Sequence, residues 1–189
     1  CNIDCINPLE NLLKEKNLPS YRQKQIFSAI YQKHLKSFAD MTTLPNDLRQ
    51  LLAKELGPEV LSLQNVLETK DGQADKVLFE TKDETRVEAV LMTLKPNEER
   101  SDEHQSLCLS SQSGCALGCT FCATGAIGFK KNLEVDEITD QILYFLQQGK
   151  TVTNLSFMGM GEPFANPHLF DALKIITDKD KLAYGQRRL

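Results

Sequence analysis

The sequence predicts an α/β protein: a small helical plus β amino-terminal domain, residues 1–98, followed by a β/α domain, residues 99–189. Three observations carry this. Apolar residues recur at helical spacing as far as Glu55, strand-like alternation follows, and from Leu107 strand and helix signals take turns. Strand, helix, strand, helix implies a parallel sheet. In such sheets ligands gather at the carboxyl ends of the strands, whether the sheet is open or closed.

Composition bounds the rest. The 189 residues are 41% hydrophobic and 25% charged, as in an ordinary globular protein able to bury a real core. No apolar run approaches the roughly 18 residues that a membrane span needs. Cys1-Asn2-Ile3-Asp4 lacks the layout of a secretion signal, and without an initiating methionine residues are expected to precede it. Clustered cysteines without signs of secretion point to metal or catalysis in a reducing, cytoplasmic setting. The net charge of −4 gives no overall attraction for nucleic acid. Locally, Lys14, Lys16, Arg22, Lys24, Lys33 and Lys36 face a single acid, Glu15, and further basic pairs stand at Lys130-Lys131 and Arg187-Arg188. On charge alone these read as solvated surface.

In chain order, Ser20 is expected to cap a helix carrying Ile26, Ile30 and Tyr31, with Gln23 completing the box. Phe38, Met41 and Leu44 pack between it and a second helix that starts after Pro45, carries Leu48, Leu51 and Leu52, and stops at Gly57-Pro58. Strands are expected at Val60–Leu67, Lys76–Glu80 and Thr85–Met92, with turns at Lys70-Asp71-Gly72 and Lys82-Asp83-Glu84. Pro96–Gln105 reads as a charged surface loop. A strand at Leu107–Ser110 then delivers the chain to a cysteine loop. Next come a helix from Val135 to Gln148 stopped by Gly149, a strand at Val152–Phe157, and a helix opened by Asn166-Pro167 and packed through Phe170, Leu173 and Ile176.

The cysteine loop is the strongest signal. Cys115-Ala-Leu-Gly-Cys119-Thr-Phe-Cys122 offers three thiolates where a four-iron cluster ordinarily takes four. One iron is then left open to a small molecule, and an open metal position separates catalysis from scaffolding. Gly114 and Gly118 let the backbone turn tightly. The bland alternative is structural zinc, which wants four ligands, and His104 in a charged loop makes a poor fourth.

Met158-Gly159-Met160-Gly161-Glu162-Pro163 stands at the end of the next strand, where glycines allow close backbone approach and Glu162 can accept hydrogen bonds from an ammonium group. Alone it reads as a plain turn; one β/α unit after the cysteine loop it reads as part of a site. Cys108 lies at the mouth of the same site and reads either as a small buried hydrophobe or as a redox thiol. Glu88 by itself reads as a solvent-facing strand residue. Cys1 and Cys5 are assigned nothing.

The C-x3-C-x2-C spacing, with Phe121 before the last cysteine, is that of the radical S-adenosylmethionine (SAM) enzymes. The runs Leu107-Cys108-Leu109-Ser110-Ser111-Gln112-Ser113-Gly114-Cys115, Cys122-Ala123-Thr124-Gly125 and Phe157-Met158-Gly159-Met160-Gly161-Glu162 resemble the RlmN/Cfr methyltransferases. These act on one adenine of 23S ribosomal RNA in the peptidyl-transferase centre. Lys76–Glu80 and Val135–Gln141 look closer to Cfr, whose branch methylates C8 and confers resistance to ribosome-targeting antibiotics. Pro163 looks more like RlmN, the C2 branch. The resemblance implies a partial (β/α) barrel, a [4Fe-4S] cluster on Cys115, Cys119 and Cys122, and SAM contacts at Phe121, Gly161 and Glu162. It also implies Glu88 as proton acceptor and Cys108 as the thiol that frees the product through a transient disulfide. Implied partners are 23S rRNA (tRNA as the RlmN-type alternative) and a flavodoxin-type electron donor, with the full-length enzyme a monomer.

The family's second, methyl-carrying cysteine lies towards the carboxyl terminus, and here no cysteine follows Cys122. The sequence therefore reads as an amino-terminal piece of a longer enzyme, expected not to turn over alone. The competing class is a zinc- or cluster-stabilised RNA-binding module without catalysis. A radical SAM enzyme on another substrate, an activase or a methylthiolase, is the third reading.

Overall fold

Leu9, Leu12 and Leu13 fall on one side of helix α1 (Pro8–Glu15) and are buried. They sit with Ile26, Ala29, Ile30 and Tyr31 from α2 (Ser20–Phe27), which runs on into a wider π-helical turn at Ser28–Gln32. The computed structural model describes residues 8–94 and 104–189, so Cys1, Cys5 and most of the charged stretch from Pro96 lie outside the described residues. The end of that stretch, His104 and Gln105, is strand rather than loop.

The expected serine cap is corrected. Pro19 is the capping residue, at φ −55° and ψ 144°, and no side chain caps the turn. Proline's fixed φ turns the chain into the helix and leaves Ser20 inside it. The Gln23 amide reaches back to donate to the Leu18 carbonyl at 3.0 Å. Phe38, Met41 and Leu44 are buried as expected, and α3 (Asn46–Leu56) ends at Gly57, whose φ of +104° suits glycine.

Five strands form one sheet in the order β1-β2-β3-β4-β7. β1 (Gln64–Lys70), β2 (Ala74–Glu80), β3 (Arg86–Leu94) and β4 (His104–Cys108) run antiparallel, and β7 (Asn154–Ser156) joins parallel to β4 after helix α5 (Val135–Gln147). One sheet thus takes strands from both sides of the expected boundary, because β3 and β4 are hydrogen-bonded neighbours. The segment 60–63 precedes the first strand rather than belonging to it; its Leu63 is buried.

Side-chain alternation splits this sheet into two chemically different faces. Val77, Phe79, Val87, Ala89, Leu91, Leu107 and Leu155 are buried in a core shared with Ile138, Ile142 and Phe145 of α5. The opposite face carries the alternate positions, among them Lys76, Leu78, Glu88, Val90, Cys108 and Ser156. Leu78 stands opposite Glu88, Lys76 opposite Val90, Val90 opposite Cys108, and Cys108 opposite Ser156. Paired residues share a face, so register alone brings Lys76, Glu88 and Cys108 to one surface.

Helix α6 (Leu169–Thr177) starts later than the Asn166-Pro167 signal suggests. Asn166 is consumed in side-chain hydrogen bonds, and the inward stripe becomes Leu169, Ala172, Ile175 and Ile176. Phe170 consequently points outward at 62% exposure, against expectation.

A buried acid joins α5 to the segment leading into β1. Asp140 is 3% exposed, and its Oδ2 accepts from the Ser62 amide at 2.6 Å, the Ser62 hydroxyl at 2.8 Å and the Leu63 amide at 3.3 Å. Desolvation, aided by nearby Asp136, pushes its pKa up to about 7 despite these donors. The folded chain therefore holds a proton that the unfolded chain releases near pH 4. This contribution to stability is complete below that pH and is lost as pH rises through about 7. Asp140→Asn keeps an acceptor oxygen without the charge. Its melting temperature, compared with wild type from pH 4 to pH 8, is expected to gain on wild type as pH rises. A constant difference across that range would refute the assignment.

Candidate active site

The cysteine loop is an excursion closed at its base. Strands β5 (Gln112–Ser113) and β6 (Lys131–Asn132) pair antiparallel, and the Lys130 amide donates to the Ser113 carbonyl at 2.8 Å. Gly114 adopts φ +74°, and a Cβ there would lie 1.8 Å from the Gly128 carbonyl oxygen. The two ends of the loop therefore touch where only glycine fits.

Within the loop, Cys115 and Cys122 are partly exposed, Cys119 is exposed, and all three are free thiols. Cys122 caps the short helix α4 (Ala123–Ile127). Hydrogen bonds from the Gly125 and Thr124 amides, with the Thr124 hydroxyl, hold its thiol below the usual range. That favours thiolate, the form that binds metal. Phe121 is 91% exposed, which leaves its ring free for a ligand face.

The Gly-rich turn is sewn onto the strand that leads into the loop. The Gly159 amide donates to the Leu109 carbonyl at 3.0 Å, and the Met160 amide to the Ser110 hydroxyl at 2.8 Å. Gly161 sits at φ +96°, and a Cβ would come 2.5 Å from Gln112 Cβ. The Gln112 side chain accepts from the Glu162 amide at 2.9 Å and donates to Asn132 at 2.8 Å, joining turn and loop base. Glu162 is half-buried, and its carboxylate caps the following 3-10 turn through the Phe164 amide at 3.3 Å.

Two buried amides escaped the sequence reading. Gln141 of α5 accepts from the Ser110 amide at 2.9 Å and donates to the Ser110 carbonyl at 3.0 Å. Asn166 donates to the Ser111 carbonyl at 2.6 Å and the Leu133 carbonyl at 2.9 Å. Together they fix the backbone that carries the site. A signal did exist, since Gln141 interrupts the inward stripe of Ile138 and Ile142 in α5.

On the open face of the sheet, Glu88 pairs with Lys76 at 2.7 Å. Both line a cavity of about 620 Å³ together with Leu78, Arg86, Thr124 and Met160, so the sheet face and α4 enclose one space. Cys108 lies diagonally from Glu88 across β3 and β4. Burial pushes its thiol up. Glu88, Cys108, the cysteine loop and the Gly-rich turn thus gather at one end of one sheet.

A three-cysteine loop at the carboxyl end of a strand, followed by a β/α unit and a glycine-rich turn packed beside it, is the arrangement of the radical SAM class. The profile of the Radical SAM superfamily matches residues 109–188, and that of the ribosomal RNA large subunit methyltransferase N-terminal domain matches residues 6–56. The chain is 47% identical to the "Ribosomal RNA large subunit methyltransferase Cfr" of Shouchella clausii, over 96% of this chain and 50% of that protein. It is 46% identical to the protein of the same name in Lachnoclostridium phytofermentans, over 96% of this chain and 51% of that one. The crystal structure of a radical SAM methyltransferase from Sphaerobacter thermophilus superposes with a TM-score of 0.83 at 36% identity, covering 95% of this chain and 52% of that one. Over nearly all of its length the chain is similar to radical SAM methyltransferases of the Cfr/RlmN type. It spans about half the length of the curated relatives it matches.

The match to the Radical SAM superfamily implies a [4Fe-4S] cluster and S-adenosylmethionine. The donor set fits: three free thiols on one loop, one of them held toward thiolate by backbone amides. Among the described residues no three cysteine, histidine or acidic side chains are grouped to hold a metal ion. Among the described residues no helix is long and apolar enough to cross a membrane.

Proposed function

We propose that this chain carries the cluster-binding and RNA-handling parts of a radical SAM methyltransferase that modifies an adenine of 23S rRNA in the peptidyl-transferase centre. The observation that carries it is the convergence of the cysteine loop, the Gly161-Glu162 turn, Glu88 and Cys108 on one cavity-bearing end of the sheet. The resemblance of Lys76–Glu80 and Val135–Gln141 to the Cfr branch supports C8 as the carbon modified, with C2 as the alternative, and a link to antibiotic resistance. A cytoplasmic setting, a flavodoxin-type electron donor and a monomeric full-length enzyme complete the reading.

In this reading Cys115, Cys119 and Cys122 hold the cluster. Held there with SAM, the cluster would supply the radical chemistry needed to methylate a ring carbon too weakly nucleophilic for simple transfer. Glu162, held through its backbone by Gln112, presents its carboxylate to the SAM ammonium group. Phe121 offers a flat apolar face, and Gly161 lets the backbone come close. Glu88, oriented by Lys76, takes the proton from the adenine carbon. Cys108, on the same face as Glu88, gives up its proton and attacks the sulfur of the methyl-carrying cysteine; the S–S bond forms as that sulfur's bond to the transferred carbon breaks, and the carbon takes a proton to complete the methyl group.

A chimera tests this. Residues 1–189 joined to the carboxy-terminal half of the Shouchella clausii relative should place a methyl group on one 23S rRNA adenine, read by mass spectrometry of the digested RNA. The position, C8 or C2, follows from the retention of the methylated nucleoside. Unmethylated rRNA from a folded, cluster-loaded chimera, with the intact relative active alongside, would contradict the proposal.

A further inference from the structure

We propose that Lys131 is a positioning residue for the iron–sulfur cluster, clamping the base of the cysteine loop to helix α5 and to the β2–β3 turn. This rests on the reading of the loop as a cluster site. In sequence Lys130 and Lys131 look like one basic patch, but the fold separates them. Lys130 lines the cavity, whereas the Lys131 side chain is only 21% exposed. Its ammonium lies 2.9 Å from Glu137 Oε1 and 3.2 Å from Asp83 Oδ1.

Each partner is itself fixed. Glu137, in the first turn of α5, is 6% exposed, and its other oxygen accepts the Glu134 amide at 2.8 Å in a capping box. Asp83 accepts the Thr81 hydroxyl in the turn between β2 and β3. The backbone of Lys131 stands opposite Ser113, directly before Gly114 and Cys115, and the Ser113 hydroxyl donates to the Arg86 carbonyl at 2.9 Å. One ammonium therefore joins loop base, helix and hairpin.

The loop needs such an anchor because its tip has little of its own. Helix α4 has no buried residue, and Cys119 is exposed. An exposed ion pair contributes little. This one differs, because removing the cation strands a buried carboxylate and loosens the three-way joint. Groups that orient metal ligands from behind typically change metal affinity about 10- to 100-fold when removed.

The test uses the 189-residue chain reconstituted anaerobically with iron and sulfide, as wild type, Lys131→Met, Lys131→Arg, and Lys131→Met combined with Glu137→Gln. The double variant removes the stranded charge along with the clamp. Iron release to a chelator and the electron paramagnetic resonance of the reduced cluster are read at a temperature where circular dichroism shows every variant folded. Lys131→Met and the double variant are expected to release iron about 10-fold faster, with an altered resonance, while Lys131→Arg stays near wild type. Wild-type release rates and resonance in the folded double variant would overturn the proposal and leave the pair a stabilising contact only. A wild-type chain that takes up no iron would overturn the cluster reading, and the clamp with it.

Discussion

Replacing any one of Cys115, Cys119 or Cys122 with alanine is expected to reduce iron and sulfide in the reconstituted chain to background. In the proposed site each thiolate would serve one iron, and the cluster would already have one corner without a protein ligand. Losing a second corner leaves two attachments on a loop whose tip is exposed. Cys108→Ala provides the contrast. That thiol lies on β4 beside Ser156, outside the loop, so its loss should leave iron content at the wild-type value while abolishing product release in the complete enzyme. Iron and acid-labile sulfide per chain, with the visible absorbance of the cluster, measure both arms. Full iron in an alanine variant of the loop, or iron loss on removing Cys108, would reassign the ligands.

The second large effect is expected from Gly114→Ala. Two costs meet there. The positive φ of +74° strains any residue with a Cβ, by about 1–2 kcal/mol. That Cβ would also lie 1.8 Å from the Gly128 carbonyl oxygen and 3.3 Å from Phe129 Cα, so backbone must move. It cannot move freely, because the neighbouring Lys130 amide is bonded to Ser113 and the Lys131 side chain to Glu137. Gly72→Ala separates the two costs: its φ is +85°, but nothing stands near the added carbon. Gly72→Ala should cost only the strain in chemical denaturation. Gly114→Ala should cost at least ~2 kcal/mol and most of the cluster-loading capacity. Equal effects from the two substitutions would show that the loop ends do not meet.

The chemistry of the site was legible wherever it is written in residue type and spacing. Three cysteines within a few residues need no fold to be noticed, and the Gly161-Glu162 turn was placed by counting one β/α unit onward. What stayed hidden depends on register and direction. Glu88 looked solvent-facing because one strand cannot reveal that its outward face becomes the wall of a cavity; only the pairings of β2, β3 and β4 bring it beside Lys76 and Cys108. The amides of Gln112, Gln141 and Asn166 were missed for a related reason. Each satisfies backbone groups distant in sequence, and only Gln141, an amide inside the apolar stripe of α5, left a mark in the spacing. Ser20 and Phe170 failed at helix starts. There Pro19 and Asn166 took over the local hydrogen bonding and shifted the first turn by one to three residues.

In the proposed cluster one iron is reserved for SAM. Anaerobically reconstituted chain, reduced and mixed with SAM labelled with ¹⁵N at its amino group, tests it by electron–nuclear double resonance. Hyperfine coupling from the labelled nitrogen to the cluster is the predicted result, and it should vanish in the Cys119→Ala chain. A cluster that forms with full iron yet shows no coupling to the label, or one whose fourth iron carries a protein ligand, would contradict the account.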